Sequence, residues 1–152
     1  MKVKLLIIAL LSLLFASCDM NDLFDDGDTR KTYDGPAQVA FFPDELEVRD
    51  DAGSTSIEIQ LIGEQRESDL SVSFSTEGDA VAGTHYNVST SSPVTLEAGS
   101  STVDIIIELI EDSIPEGEEV QLILNLEGGD GVEVAANYSS SRIFILDSPE
   151  EE

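Results

Sequence analysis

The chain has 152 residues and carries 32 Asp and Glu against seven Lys and Arg, a formal charge of −25. Such a field repels nucleic acid and anionic lipid surfaces and draws in cations. With one Cys and one His, Cys18 and His85, the chain offers no internal disulfide and too few soft ligands for a structural zinc site.

The first twenty residues, MKVKLLIIALLSLLFASCDM, place Lys2 and Lys4 before an eleven-residue apolar run from Leu5 to Phe15. That pattern reads as a signal peptide and is too short to span a bilayer. It ends in Phe15-Ala16-Ser17-Cys18, which resembles the lipobox of bacterial lipoproteins. The resemblance implies cleavage of residues 1–17 and a lipid on Cys18. The remaining chain has five Lys and Arg against 32 acids, so its charge is 5 − 32 = −27. Residues 18–36 hold six Asp, two Gly and one Pro with no period, and read as an acidic tether. Extended at about 3.3–3.6 Å per residue, it would reach roughly 60 Å. Its early acids resemble the export signal of some Gram-negative lipoproteins. The expected location is therefore the cell envelope, lipid-anchored in the outer membrane, on either its surface or its periplasmic side.

From Gln38 onward, apolar and polar residues alternate. TSIEIQL (55–61) sets Ile57, Ile59 and Leu61 on one face, and LSVSF (70–74) does the same with Leu70, Val72 and Phe74. STVDIIIEL (101–109) aligns Val103, Ile105, Ile107 and Leu109, and EVQLILNL (119–126) aligns Val120, Leu122, Leu124 and Leu126. Shorter runs are QVAFFPDELEV (38–48), interrupted at Pro43, PVTLE (93–97) and SRIFIL (141–146). A period of two means strands with one wet face, and no window carries a helical stripe. Seven such strands predict an all-β antiparallel sandwich over residues 37–148, followed by an acidic tail at 149–152. GGDGVEV (128–134) reads as a hairpin loop in it.

Three stretches in order resemble the Calx-β domain family. They are STEGDAVAGTHY (75–86), VTLEAGSSTVDIIIELIEDSIPEGEEVQLIL (94–124) and RIFILD (142–147). The resemblance covers residues 39–147 and implies an immunoglobulin-like sandwich with Tyr86 as a core anchor. Some members of the family bind Ca²⁺ at one end, and many extracellular bacterial members serve adhesion or spacing.

Strand parity gives an independent reason to look at one end. If successive strands run up and down, the turn after the run that ends at residue 48, the loops after residues 74 and 109, and the chain after residue 146 share a pole. That pole collects thirteen acids with no Lys or Arg, against seven acids and Arg66 at the other end. Hard cations take six to eight oxygens from several loops, and a divalent ion relieves repulsion among carboxylates. The family resemblance implies Asp50, Glu111, Asp112, Glu116, Glu119 and Asp147 as metal ligands. It also implies an Asp where this chain has His85, and further acids where it has Ser148 and Pro149. The tether enters at the opposite end, so the pole is expected to face away from the membrane.

Catalysis is not expected. His85 is the one imidazole base, and its GTHY setting belongs to the fold motif. Carboxylate pairs of the kind that hydrolyse glycosides arise by chance among 32 acids. The expected role is adhesion, spacing or protein interaction, with Ca²⁺ at the distal pole. The rival reading is a surface glycan-binding lipoprotein of a carbohydrate-uptake system, although the chain has no Trp and only three Tyr to stack on sugars. Ile123 and Phe144 are expected to face outward on adjacent strands as a small interaction patch. Asp112-Ser113-Ile114 resembles a short bacterial O-glycosylation motif and equally reads as a polar turn.

Overall fold

A computed structural model describes residues 33–148. Ten strands run in chain order: β1 (Gln38–Phe42), β2 (Glu45–Arg49), β3 (Ser54–Ile62), β4 (Leu70–Gly78), β5 (Tyr86–Val88), β6 (Val94–Leu96), β7 (Thr102–Leu109), β8 (Glu119–Gly129), β9 (Glu133–Val134) and β10 (Ser140–Leu146). The only helical element among the described residues is a 3-10 turn at Asp50–Ala52. One sheet has the order β5-β7-β3-β1-β9 and the other β2-β10-β8-β4-β6.

The expectation of seven strands is corrected to ten. Pro43 has no N–H to give a ladder, so the long first run is cut there and its halves join different sheets. β1 pairs antiparallel with β3, whereas β2 pairs parallel with β10. β9 also lies parallel to β1, so two of the pairings are not antiparallel. β5 and β9, at three and two residues, are too short to show alternation.

The alternating apolar residues face inward as expected. Ile57, Ile59, Ile105 and Ile107 of one sheet, and Leu122, Leu124, Ile143 and Ile145 of the other, are fully buried. Burying one such side chain is worth about 1.5–3 kcal/mol. β4 and β8 shift register between Ser73 and Phe74, where Gly128 and Leu126 are the successive partners and Glu127 is the extra residue. Bulges of this kind sharpen the local twist. At the far end of the same pair, Gly78 has φ +116°, and a Cβ there would run into the carbonyl oxygen of Gln121.

Register decides which loops meet. Leu146 lies opposite both Arg49 and Glu119, Gly78 opposite Leu122, and Tyr86 opposite Leu109. The turn after β2, the chain after β4, the loop between β7 and β8 and the exit from β10 therefore share one pole. β1 begins at the other end, where Gln38 lies opposite Ile62.

Three substitutions test this packing by urea denaturation. Leu122→Ala should cost about 2–5 kcal/mol, the usual range for a buried Leu left as a cavity. Gly78→Ala should cost clearly more than Gly99→Ala. Both glycines have positive φ, but nothing lies within 4 Å of a Cβ at Gly99. Equal losses at the two glycines would contradict the close approach of β4 to β8.

Candidate functional site

β2 ends at Arg49, and the 3-10 turn that follows swings Asp50 inward. Gly53, at φ +74°, then returns the chain into β3. Asp50 is only 1% exposed. Its Oδ1 accepts a hydrogen bond from the Ser148 hydroxyl, while its buried Oδ2 has no donor among the described residues. The Ser148 oxygen in turn accepts from the Asp51 N–H at 3.2 Å. Ser148 thus clips the exit of β10 onto the turn after β2.

Asp147 carries the next set of ties. Its Oδ2 accepts from the Gly117 N–H at 2.9 Å, and its own N–H donates to the Glu118 carbonyl at 3.2 Å. Its carbonyl oxygen accepts from Arg49 Nη1 at 3.0 Å. Arg49, Gly117, Glu118, Glu119, Leu146 and Asp147 line a hollow of about 370 Å³. Three segments distant in sequence are laced together around it.

The other half of the pole is built differently. The Val81 N–H donates to His85 Nδ1 at 2.9 Å, so the neutral ring carries its proton on Nε2. The His85 carbonyl accepts from the Ile110 N–H at 3.0 Å, tying this loop to the one between β7 and β8. Tyr86, 4% exposed, is the core anchor that the family resemblance implied. Asp79 Oδ1 accepts from the Gln121 N–H and so is committed to joining the end of β4 to β8. In the loop between β7 and β8, Ile114 is buried at 5% exposure and pins the loop to the core. Glu111, Asp112 and Glu116 are exposed on it. Asp112 adopts φ +55°, a left-handed conformation that Asp tolerates well.

The pole foreseen from strand parity is present, and ten of its thirteen acids are among the described residues; Glu150, Glu151 and Glu152 lie outside them, as does Cys18. One expectation is corrected. The pole contains a cation: Arg49 ends a strand, and its long side chain reaches the loop oxygen of Asp147. Of the six residues proposed as metal ligands, Asp50 and Asp147 join one network through the adjacent Ser148, and Glu119 lines the hollow beside Asp147. Glu111, Asp112 and Glu116 remain on the neighbouring exposed loop. Among the described residues, no three His, Cys, Asp or Glu side chains already converge on a metal-holding point. The sequence reading missed the roles of Arg49 and Ser148; the strand end just before paired acids was the only signal for the first.

The chain turns at Glu111–Asp112 just before Ser113, whose Oγ is buried and has no partner among the described residues. Ile123 and Phe144 are half-buried on the outer face of β8 and β10. They are diagonal neighbours, since Ile123 faces Arg142 and Phe144 faces Gln121. Arg142 Nη2 pairs with Glu45 Oε2 at 3.2 Å alongside them. No helix among the described residues is long and apolar enough to cross a membrane.

Similar proteins agree with this architecture. The apo-form Calx CBD1 domain matches with a TM-score of 0.65 and 24% identity, over 76% of this chain and 100% of that one. The calcium binding domain CBD12 of CALX1.1 matches at 0.62 and 24%, over 73% of this chain and 44% of that one. The Calx CBD2 domain matches at 0.61 and 15%, over 74% and 87%. A comparison with curated proteins returns no match. The family model described as Calx-beta domain matches residues 33–149. The chain belongs to the Calx-beta domain family.

Proposed function

We propose that this protein is a non-catalytic, lipid-anchored module of the cell envelope whose Calx-beta domain binds Ca²⁺ at its acidic pole and serves adhesion, spacing or protein interaction. The observation that carries the calcium reading is the orphaned Oδ2 of Asp50, a carboxylate oxygen with no donor on a residue 1% exposed. A buried charged oxygen without a partner costs several kcal/mol unless a cation or proton meets it. Of the three buried side-chain polar atoms without partners among the described residues, two, Asp50 Oδ2 and Ser113 Oγ, are at this pole. Asp50, Asp147 and Glu119 would hold the ion from one side, and the exposed loop acids Glu111, Asp112 and Glu116 would close on it from the other. These are the oxygen donors that Ca²⁺ takes, drawn from separate loops. The bound ion would supply positive charge among crowded carboxylates and stiffen the loops that carry them.

The envelope part of the proposal rests on Cys18 following its apolar run. The interaction role is supported by the half-buried pair Ile123 and Phe144, set among polar neighbours on an outer sheet face. A glycan-binding reading gains support from Phe42 and Tyr138, which are 60% and 48% exposed where the Phe41 N–H meets the Tyr138 carbonyl.

Three experiments check these assignments. One-millimolar Ca²⁺ should raise the melting temperature of the soluble domain by about 5 °C over EDTA, for a Kd roughly tenfold below that concentration. Asp50→Asn, close in shape, should lose most of that shift; a wild-type melt unmoved by Ca²⁺ would sink the metal assignment. In cells, Cys18→Ala should abolish incorporation of labelled fatty acid and release the protein from the membrane fraction. A glycan array on the purified domain separates the sugar reading from the others.

A further inference from the structure

Three cationic side chains occur among the described residues, and they have different settings. Arg142 is paired with Glu45, and Arg66 lies in the loop between β3 and β4 at the opposite end. Arg49 alone is at the acidic pole. The parallel pairing of β2 with β10 puts Arg49 opposite Leu146, so its side chain emerges beside the exit of the chain at Asp147. Among the described residues its guanidinium has no carboxylate within ion-pair distance, and it holds the Asp147 carbonyl oxygen at 3.0 Å. It lines the same hollow as Glu118, Glu119 and Asp147. The next residue, Asp50, keeps a buried oxygen without a donor among the described residues.

We infer that Arg49 is a tethered cation that holds the pole together without metal and thereby lowers its affinity for Ca²⁺. This rests on the calcium reading above. Two effects act together. The guanidinium places a fixed positive charge among acids whose mutual repulsion would otherwise loosen the loops, which stabilises the calcium-free state. It also opposes an incoming divalent ion and occupies a backbone carbonyl, a donor type that Ca²⁺ uses. At about 8 Å in a water-like dielectric, a unit charge changes the affinity of a divalent ion by roughly fivefold. The pole is therefore tuned to respond at higher calcium than its carboxylate count alone would set.

The test compares wild type, Arg49→Gln and Arg49→Lys by calorimetric titration with CaCl₂ at low ionic strength, with melts in EDTA and in saturating Ca²⁺. Arg49→Gln should bind roughly fivefold more tightly, melt lower than wild type in EDTA, and regain the difference when calcium is saturating. Arg49→Lys, which keeps the charge, should stay within about twofold of the wild-type affinity. If wild type and Arg49→Gln bind Ca²⁺ equally well, the role of Arg49 is overturned while the calcium reading stands. If neither protein binds, both fall together.

Discussion

One strand change governs the geometry of this domain. Two sheets with apolar inner faces must be sealed along their sides, and the chain does this by leaving the first sheet at Pro43 and entering the second. β1 and β2 are one continuous stretch of sequence shared between two layers. Because β2 then runs parallel to the last strand, its end and the end of the chain's final strand arrive at the same place. Every contact of the Asp50 network follows from that arrival. Without the crossing, Arg49 and Asp50 would have no reason to meet Asp147 and Ser148, nearly a hundred residues later.

The pole is therefore less an accumulation of acids than a junction where three chain segments must be held. Some of its carboxylates do the holding. Asp79 ties down the start of β8, and Asp147 ties down the loop before it. Others, on the loop pinned by Ile114, point to solvent and are free to respond to ions. His85 belongs to the first group, since its ring nitrogen satisfies a backbone N–H of its own loop. A His where the family resemblance implies an Asp thus has a clear structural meaning: the position serves as a loop fastener rather than a source of negative charge.

Much of this is legible in the sequence alone. Strict alternation in 55–61, 101–109 and 119–126 locates the core-facing residues, because burial on one face imposes a period of two. Counting strand directions is enough to place the loops of Asp50, Glu111 and Asp147 at one end. The misses have physical causes. β5 and β9 are too short for any pattern and exist only because a neighbour offers a free edge. The parallel pairings depend on a strand changing sheets, which local sequence does not encode. Arg49 directly follows the run that ends at residue 48 and escapes the pole's charge count, and the reach of its long side chain to the Asp147 carbonyl is a tertiary matter. Ser148 reads as a lost carboxylate, yet its hydroxyl bridges the Asp50 carboxylate and the Asp51 N–H.

The four outermost strands have a bearing on how copies of the domain tolerate one another. β9 offers two residues, β5 and β6 three each, and the longer β2 presents Glu45, Glu47 and Arg49 outward. Short or charged edges give a neighbouring chain little to hydrogen-bond against. A dense population of these molecules can therefore stand side by side without its sheets fusing into larger ones.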